Sequence, residues 1–506
     1  MKLKAGFLFF CTPAGVALAS QVQHHLALPV PSLLGYQLPN LAPSYDSYDT
    51  GLFSPLGSLT ALKEDQFTTL HHPFFPRYEV RVKRSDFCDG GVNAYTGYID
   101  IEAKHLFFYF FESRGDPTKD DVMMWMNGGP GCSSSMGLFM ELGPCRVTSP
   151  NTTAHHPYSW NEHANIFFID QPVNSGFSYA EHGEGVTRSE EAAKDIAAFL
   201  AIFFEHFSSF KGRAFHLAGE SYAGRMIPVF ASEIYDQNSR LVQAGLVPIN
   251  LTSIMLGNGQ TDMFSMTLSF YDMTCTSASL PPILPISTCV RIKQALPRCQ
   301  KLMQDSCIDK FDSILCEDAV AICRQEIGFP FIATGGNPYD ISKKCEGEYE
   351  DTMCYPVTKN ISAYLNRSSI REKLGVDPSV PAFSQCNYDV LNAFARSDDA
   401  LFPTHLYVSS LIERGVRVLV YVGSYDYVCN WIGNKAWVEG MEWGGGEEFR
   451  RREMREWETD RRKAGLAKSA GILTFATIYG GGHMAPYDRP KEALEMVRRW
   501  LAHEPL

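Results

Sequence analysis

Ala214-Phe-His-Leu-Ala-Gly-Glu-Ser-Tyr-Ala-Gly224 reads as a buried strand that runs into a sharp turn and then into the start of a helix. A serine at the apex of such an elbow is held clear of the sheet, with its hydroxyl presented beyond the strand end. The chain doubles back closely there, so its neighbours have to be small, and Gly219, Ala223 and Gly224 meet that need. The pattern departs from a strict G-x-S-x-G, because Ala223 precedes the second glycine. The candidate nucleophile is Ser221.

Working outward, short apolar runs recur at Val122–Met126, Ile166–Ile169, Ser253–Leu256, Val416–Val422 and Leu473–Tyr479, each ending in Gly, Asn, Asp or Gln. Continuous apolar runs of this length are expected of parallel strands buried on both faces. Between them, Ser189–Phe207 and Tyr222–Tyr235 carry apolar residues at helical spacing. The expected architecture is an α/β fold, a mostly parallel central sheet with helices on both faces. Tyr95–Ile101 and His105–Glu112 predict a hairpin ahead of it. The cysteine-rich stretch from about Met263 to Cys386 interrupts the alternation and is expected to sit above the sheet as a cap. In such sheets ligands bind beyond the carboxyl ends of the strands.

A serine hydroxyl needs a base to take its proton and a carboxylate to orient that base. After Val416–Val422 comes Gly423-Ser-Tyr-Asp-Tyr-Val-Cys-Asn430, in which Asp426 is the only acid. After Leu473–Tyr479 comes Gly480-Gly-Gly-His-Met-Ala-Pro486, in which His483 is the only imidazole. Ser, Asp, His is the chain order of the α/β-hydrolase arrangement. Upstream, Val122-Met-Met-Trp-Met-Asn-Gly-Gly-Pro-Gly-Cys-Ser-Ser134 is a second strand-then-glycine turn. It lacks the Gly-Lys-Ser/Thr ending of a phosphate loop, and fits an oxyanion hole better, with amides near Gly129 and at Tyr222 facing a tetrahedral oxygen.

The remaining sequence speaks of compartment. Lys2 and Lys4 precede an apolar run, Ala5 to Leu18, that closes on Ala17-Leu18-Ala19. This predicts a signal peptide over 1–19 rather than a buried helix. Residues 20–75 read as a propeptide or flexible leader, leaving 76–506 as the catalytic domain. Fourteen cysteines, eight of them between Cys275 and Cys354 without CxxC pairs, favour disulfides over metal. Sequons at Asn151, Asn250, Asn360 and Asn366 agree with a secretory route. The net charge of −12 argues against a nucleic-acid partner, and no run reaches the length of a membrane span. The alternating Arg and Glu of Phe449–Lys463 are expected to form a solvated helix or loop. His155, His156 and His163 are expected on exposed loops, and no metal or cofactor is implied.

Trp125-Met-Asn-Gly-Gly-Pro-Gly-Cys-Ser-Ser134, Gly219-Glu-Ser-Tyr-Ala-Gly224, Cys429-Asn-Trp-Ile-Gly-Asn434 and Gly482-His-Met484 resemble the signature blocks of the serine carboxypeptidases (peptidase family S10), particularly their fungal members. The resemblance extends from about Tyr78 to the C-terminus and implies an α/β-hydrolase fold and release of C-terminal amino acids from peptides and proteins. It implies a triad of Ser221, Asp426 and His483, an oxyanion hole at Gly129 and Tyr222, and a carboxylate-binding group of Trp125, Asn127, Glu141 and Glu220. Two carboxyls facing a carboxylate have to carry protons, so acidic pH is expected to favour activity. Tyr339, Tyr355 and Met484 match residues near the leaving-residue pocket, and Cys429 matches a free thiol beside the active site. The implied bridges are Cys132–Cys386, Cys275–Cys289, Cys299–Cys323, Cys307–Cys316 and Cys345–Cys354; Cys88 and Cys145, left over, are expected to pair. The resemblance leaves open an acyltransferase, in which another nucleophile replaces water, and a silent binding protein on the same fold. Intact Asn127, Glu141 and Glu220 favour peptides, and the complete triad disfavours the silent protein. A vacuolar or extracellular location is implied. Gly224-Arg-Met-Ile-Pro228, Ser424, Met136 and Met140 depart from the family pattern, which bears on pocket shape.

Overall fold

In the computed structural model, the described residues are 53–85, 87–88, 91–181, 183–347 and 349–506. The expected signal peptide and most of the expected leader lie outside them. The strands, in chain order, are β1 (Thr68–His71), β2 (Tyr78–Arg84), β3 (Ala94–Ile101), β4 (Lys104–Phe111), β5 (Asp121–Met126), β6 (Cys145–Ser149), β7 (Thr152–His155), β8 (Ala164–Ile169), β9 (Tyr179–Ala180), β10 (Phe215–Ser221), β11 (Leu251–Gly259), β12 (Arg417–Gly423), β13 (Arg455–Thr459), β14 (Arg462–Ala470) and β15 (Leu473–Ile478). Thirteen of them form one sheet in the order β1-β2-β3-β4-β8-β5-β10-β11-β12-β15-β14-β13, with β9 paired to β4; β6 and β7 make a separate hairpin.

The six central strands, β8-β5-β10-β11-β12-β15, are mutually parallel, and the flanking pairs are antiparallel. The order reverses between β5 and β10, which opens a crevice at their carboxyl ends. Alternation along each strand divides the apolar residues between the faces. Val122, Met124 and Met126 join one core with helices α1 (Ser189–His206) and α2 (Ala223–Gln243), whereas Met123 and Trp125 join a second core on the other face. Glu190 and Glu191 in the first turn of α1 complement the helix dipole. α2 runs past the expected Tyr235, because its polar continuation lies on the solvent side while Gln237 and Leu241 stay buried.

Helices α3 (Met263–Cys275), α4 (Ile286–Met303) and α5 (Ser313–Cys323) build a third core of their own, closed by Ile327 and Phe331 and by Tyr427 and Cys429 from the loop after β12. The bridges Cys275–Cys289, Cys299–Cys323 and Cys307–Cys316 tie these helices together. The later part of the interrupting stretch behaves differently: Ile361, Tyr364, Leu365, Ile370 and Leu374 pack into the second core against the sheet itself.

Three expectations need correcting. Phe449–Lys463 is not a solvated helix or loop throughout. A short helix, Gly446–Arg451, is followed by the β13–β14 hairpin at the sheet edge. Trp457 and Thr459 alternate inward there while the charged residues face out, and an outer strand lined with charge resists pairing with other chains. His156 is buried rather than exposed, with Nδ1 3.1 Å from the Gly143 carbonyl, and burial pushes its pKa down to about 3. The sheet and first core also take in the last part of the stretch expected to be a leader: β1 pairs with β2, and Leu59, Leu62, Leu70 and Phe75 reach the first core. Among the described residues no helix is long and apolar enough to cross a membrane.

Candidate active site

Ser221 ends β10 with φ of 62°, a left-handed conformation rare for a residue with a Cβ, and α2 begins two residues later. The Gly128–Gly129 turn after β5 lies directly on this elbow. A Cβ added to Gly128 would stand 2.3 Å from the Tyr222 nitrogen and 2.7 Å from the Ser221 Cβ, so only glycine fits. Gly219 is similarly confined, its missing Cβ 2.3 Å from the Met126 carbonyl oxygen. Neither the Gly129 nor the Tyr222 amide has a protein acceptor among the hydrogen bonds of the described residues, so both are free for a ligand oxygen.

The loops after β12 and β15 meet beside the elbow. Asp426 is fully buried, and its Oδ2 lies 2.8 Å from Nδ1 of His483. The same oxygen accepts from Nδ2 of Asn258 at 2.8 Å, and Oδ1 accepts the Cys429 amide at 3.2 Å. Asn258, next to last in β11, also donates to the Gly482 carbonyl while accepting the Gly423 amide, so it joins both loops. The Gly482 amide donates to Asp488 at 2.8 Å, and the His483 amide to the Tyr339 carbonyl at 2.7 Å. The Tyr339 ring stands 5.1 Å from the imidazole and stacks on Tyr349 at 5.7 Å. Tyr355 packs 6.2 Å from Tyr339, and Met484 is buried beside His483.

A second constellation lies under the Gly128 turn. Trp125 Nε1 donates to Asn127 Oδ1 at 2.8 Å, as does the Gly137 amide at 2.9 Å. This fixes the Asn127 amide so that Nδ2 points at two carboxyls, Glu220 at 2.9 Å and Glu141 at 3.3 Å. Glu141 comes from a π-helical turn, Gly137–Glu141, and Glu220 from the strand end next to Ser221. Both carboxyls are buried side by side against Asn127, and the second oxygen of each has no hydrogen-bond partner among the described residues. Burial raises both pKa values, most strongly that of Glu220, which also faces the charge of Glu141.

Cys429 is a free thiol, fully buried, its pKa raised by burial. Among the described residues, Asp426, Cys429 and His483 form the one group able to hold a metal ion, their ligand atoms within 4.8 Å of one another. The other cysteines pair as Cys88–Cys145, Cys132–Cys386, Cys275–Cys289, Cys299–Cys323, Cys307–Cys316 and Cys345–Cys354. Of the sequon residues, Asn151 and Asn250 are exposed, whereas the Asn366 amide is engaged on both sides by the Phe383 backbone and Asn360 lies within a helix.

Residues that sequence reading passed over also support the site. Asp170 accepts from Ser133 Oγ and from the Ser134 and Phe177 amides, and burial lifts its pKa to about 6. Asp399 accepts from the Tyr222 hydroxyl at 2.6 Å and from Arg225 Nε at 3.2 Å. For Asn258 a signal existed: a polar residue between two glycines at the end of an apolar run. For Asp170 and Asp399 it lay only in the fold.

The sequence family described as serine carboxypeptidase matches residues 88–503. Carboxypeptidase Y of Komagataella phaffii is 40% identical over 436 residues, 84% of this chain and 80% of that protein. Carboxypeptidase Y homolog A of Talaromyces marneffei is 42% identical over 438 residues, 84% of this chain and 76% of that protein. The prohormone-processing carboxypeptidase Kex1(delta)p of Saccharomyces cerevisiae superposes with a TM-score of 0.67 at 22% identity, over 84% of this chain and 91% of that one, a likeness of fold. With a parallel central sheet of the α/β-hydrolase kind and a family match that spans most of its length, the chain belongs to the serine carboxypeptidase family of hydrolases.

Proposed function

We propose that the chain removes C-terminal amino acids from peptides and proteins through an acyl-enzyme on Ser221. Ser221 Oγ attacks the carbonyl of the last peptide bond, and His483 takes its proton. Asp426, 2.8 Å from the other ring nitrogen, holds the imidazole in the tautomer that can do so. The negative charge that develops on the carbonyl oxygen is received by the unpaired amides of Gly129 and Tyr222. His483 returns the proton to the leaving nitrogen, the terminal amino acid departs, and water attacks the ester by the same route in reverse.

One observation carries this reading beyond a generic serine hydrolase. Glu141 and Glu220 each present a buried oxygen without a partner, beside the fixed Nδ2 of Asn127. Ionised carboxyls would repel a substrate carboxylate, whereas the raised pKa values keep protons there that donate to it. Affinity for a terminal carboxylate is therefore high at acidic pH and falls as these groups ionise. Tyr339, Tyr355 and Met484 border the departing residue. The six disulfides suit an oxidising compartment, and delivery to the vacuole or the exterior through the expected signal over 1–19 fits them.

The test follows release of the last amino acid from blocked dipeptides between pH 4 and 8, with a serine-reactive phosphonyl fluoride and with Ser221→Ala. The expected result is release that is strongest in acid and abolished by either treatment. Release that survives Ser221→Ala, or amidated peptides cleaved as readily as free acids across the range, would sink the proposal.

A further inference from the structure

Beneath the carboxyl pair the sheet carries a buried tyrosine. Glu220 on β10, Gly257 on β11 and Tyr421 on β12 stand opposite one another in register across three neighbouring strands. Two residues earlier, Ala218, Met255 and Leu419 make the same kind of row and join the second core. By alternation Glu220 and Tyr421 project from that same face. A Cβ added to Gly257 would stand 2.3 Å from both Cζ and the hydroxyl oxygen of Tyr421. The phenol ring is therefore laid across β11, where only glycine leaves it room. Its hydroxyl reaches over Gly257 toward β10, and a strand spacing of about 4.8 Å separates Gly257 from Glu220.

The Tyr421 hydroxyl is fully buried and has no hydrogen-bond partner among the described residues. The same holds for Trp160 Nε1 and for Oε2 of both Glu141 and Glu220. Trp160 packs edge-on against Tyr421 at 6.4 Å and against Trp125 at 5.3 Å, and Trp125 is the donor that fixes Asn127. Two buried donors and two buried carboxyl oxygens are thus left unmatched beneath the clamp. Phenylalanine would fill the place of Tyr421 without the cost of burying a hydroxyl, so the hydroxyl has to serve an acceptor, and the carboxyl pair lies on its side of the sheet. Polar groups this deep and beyond direct reach are joined by a bridging water. Burial raises the phenol pKa well above its usual range, and the charges of Glu220 and Glu141 raise it further, so the group stays a donor.

We propose that Tyr421 is a positioning residue of the carboxylate clamp, whose hydroxyl donates through one bridging water to the Glu141–Glu220 pair from the core side. A carboxyl oxygen carries two lone pairs, so this donor leaves the cleft side of the pair to the substrate. A hydrogen bond to a carboxylate favours its ionised form. The hydroxyl therefore lowers the pH at which the clamp gives up the protons that hold a terminal carboxylate. Other groups also face the pair: Asn127 toward both carboxyls, Asp426 and Cys429 toward Glu220, and His483, Asp488 and Arg146 toward Glu141. They are common to parent and variant, and their effects cancel in the comparison. The inference rests on the carboxypeptidase reading above.

The experiment follows KM for one blocked dipeptide between pH 4 and 8 in the parent and in Tyr421→Phe, which keeps the ring over Gly257 and removes the hydroxyl alone. The pH dependence of Ser221 phosphonylation, which reports on His483 and involves no carboxylate, is measured in the same two proteins. In Tyr421→Phe the rise of KM toward neutral pH is expected about one pH unit higher than in the parent, the size of one hydrogen bond to a charged group. That displacement should exceed any in the phosphonylation profile. A KM profile that stays in place, or moves to lower pH, overturns the inference and leaves the carboxypeptidase reading intact. So does an equal displacement of both profiles, which would assign the hydroxyl to the imidazole instead. A parent whose KM shows no rise removes the clamp and this inference together.

Discussion

Asn258 shows what a single side chain contributes to this site. It is buried near the end of β11 with φ of 42°, a left-handed conformation that asparagine tolerates better than most residues. Its amide bonds Asp426, the Gly482 carbonyl and the Gly423 amide together, so that the loops of the acid and of the imidazole share one anchor. Asn258→Gly keeps the backbone freedom and removes the anchor. We expect kcat to fall by up to about a hundredfold, since displacement of a catalytic group by an ångström costs that much. KM should change little, because Asn258 does not touch the Asn127–Glu141–Glu220 group. Steady-state kinetics on one blocked dipeptide decide it: an unaltered kcat would make Asn258 a backbone device only, and a rise in KM alone would assign it to binding. Gly423 and Gly481–Gly482 complete the junction, since a Cβ on Gly423 would stand 2.1 Å from the Gly482 carbonyl oxygen.

At the scale of elements, the start of α2 is held by a buried charge pair. Arg225 and Asp399 are each 3% exposed, and Asp399 also receives the Ser189 amide and hydroxyl from the start of α1 and the Tyr222 hydroxyl from the elbow. Arg225 reaches the Phe402 carbonyl as well. Removing the acid leaves a buried cation without a partner. Asp399→Ala is therefore expected to cost about 3–5 kcal/mol in urea unfolding, and Arg225→Met/Asp399→Leu clearly less, because replacing both charges removes the desolvation cost too. A double variant as unstable as the single one would show that the pair contributes through packing instead. The sequence exposes one half of this pair: Arg225 stands out as a departure from the family pattern, but Asp399, 174 residues away, carries no mark. The same contrast runs through the fold. The central strands were legible because burial on both faces leaves unbroken apolar runs, and the three site loops because each follows such a run. β1 and the β13–β14 hairpin were not, since edge strands show only alternate buried residues among charges. The cap could be located by its cysteines but not divided, because whether a helix packs on its neighbours or on the sheet depends on contacts remote in sequence.

For the whole molecule, the carboxyl pair ties stability to pH. Glu141 and Glu220 hold protons in the folded state to a higher pH than in the unfolded chain, where a glutamate ionises near about 4.3. Below that value both states are protonated and the full stability is present. As pH rises, the unfolded state releases its protons first, and stability falls by about 1.4 kcal/mol per pH unit for each proton the fold retains, until the folded pKa is passed. The buried histidines act in the opposite direction. His72, His156 and His206 have pKa values lowered by burial, so acid protonates the unfolded chain first, and stability is lost as pH drops below about 6.5. The two slopes overlap across the acidic range and mask each other in the parent. Glutamine variants separate them, since a neutral amide keeps the shape and cannot titrate. Urea unfolding at pH 4.5, 5.5 and 6.5 should show the parent losing stability relative to Glu141→Gln/Glu220→Gln at each step, with the single variants between. Parallel pH dependences in the parent and the double variant would mean that the fold retains no excess proton on these carboxyls, and the acidic preference expected of the enzyme would then lose its physical basis.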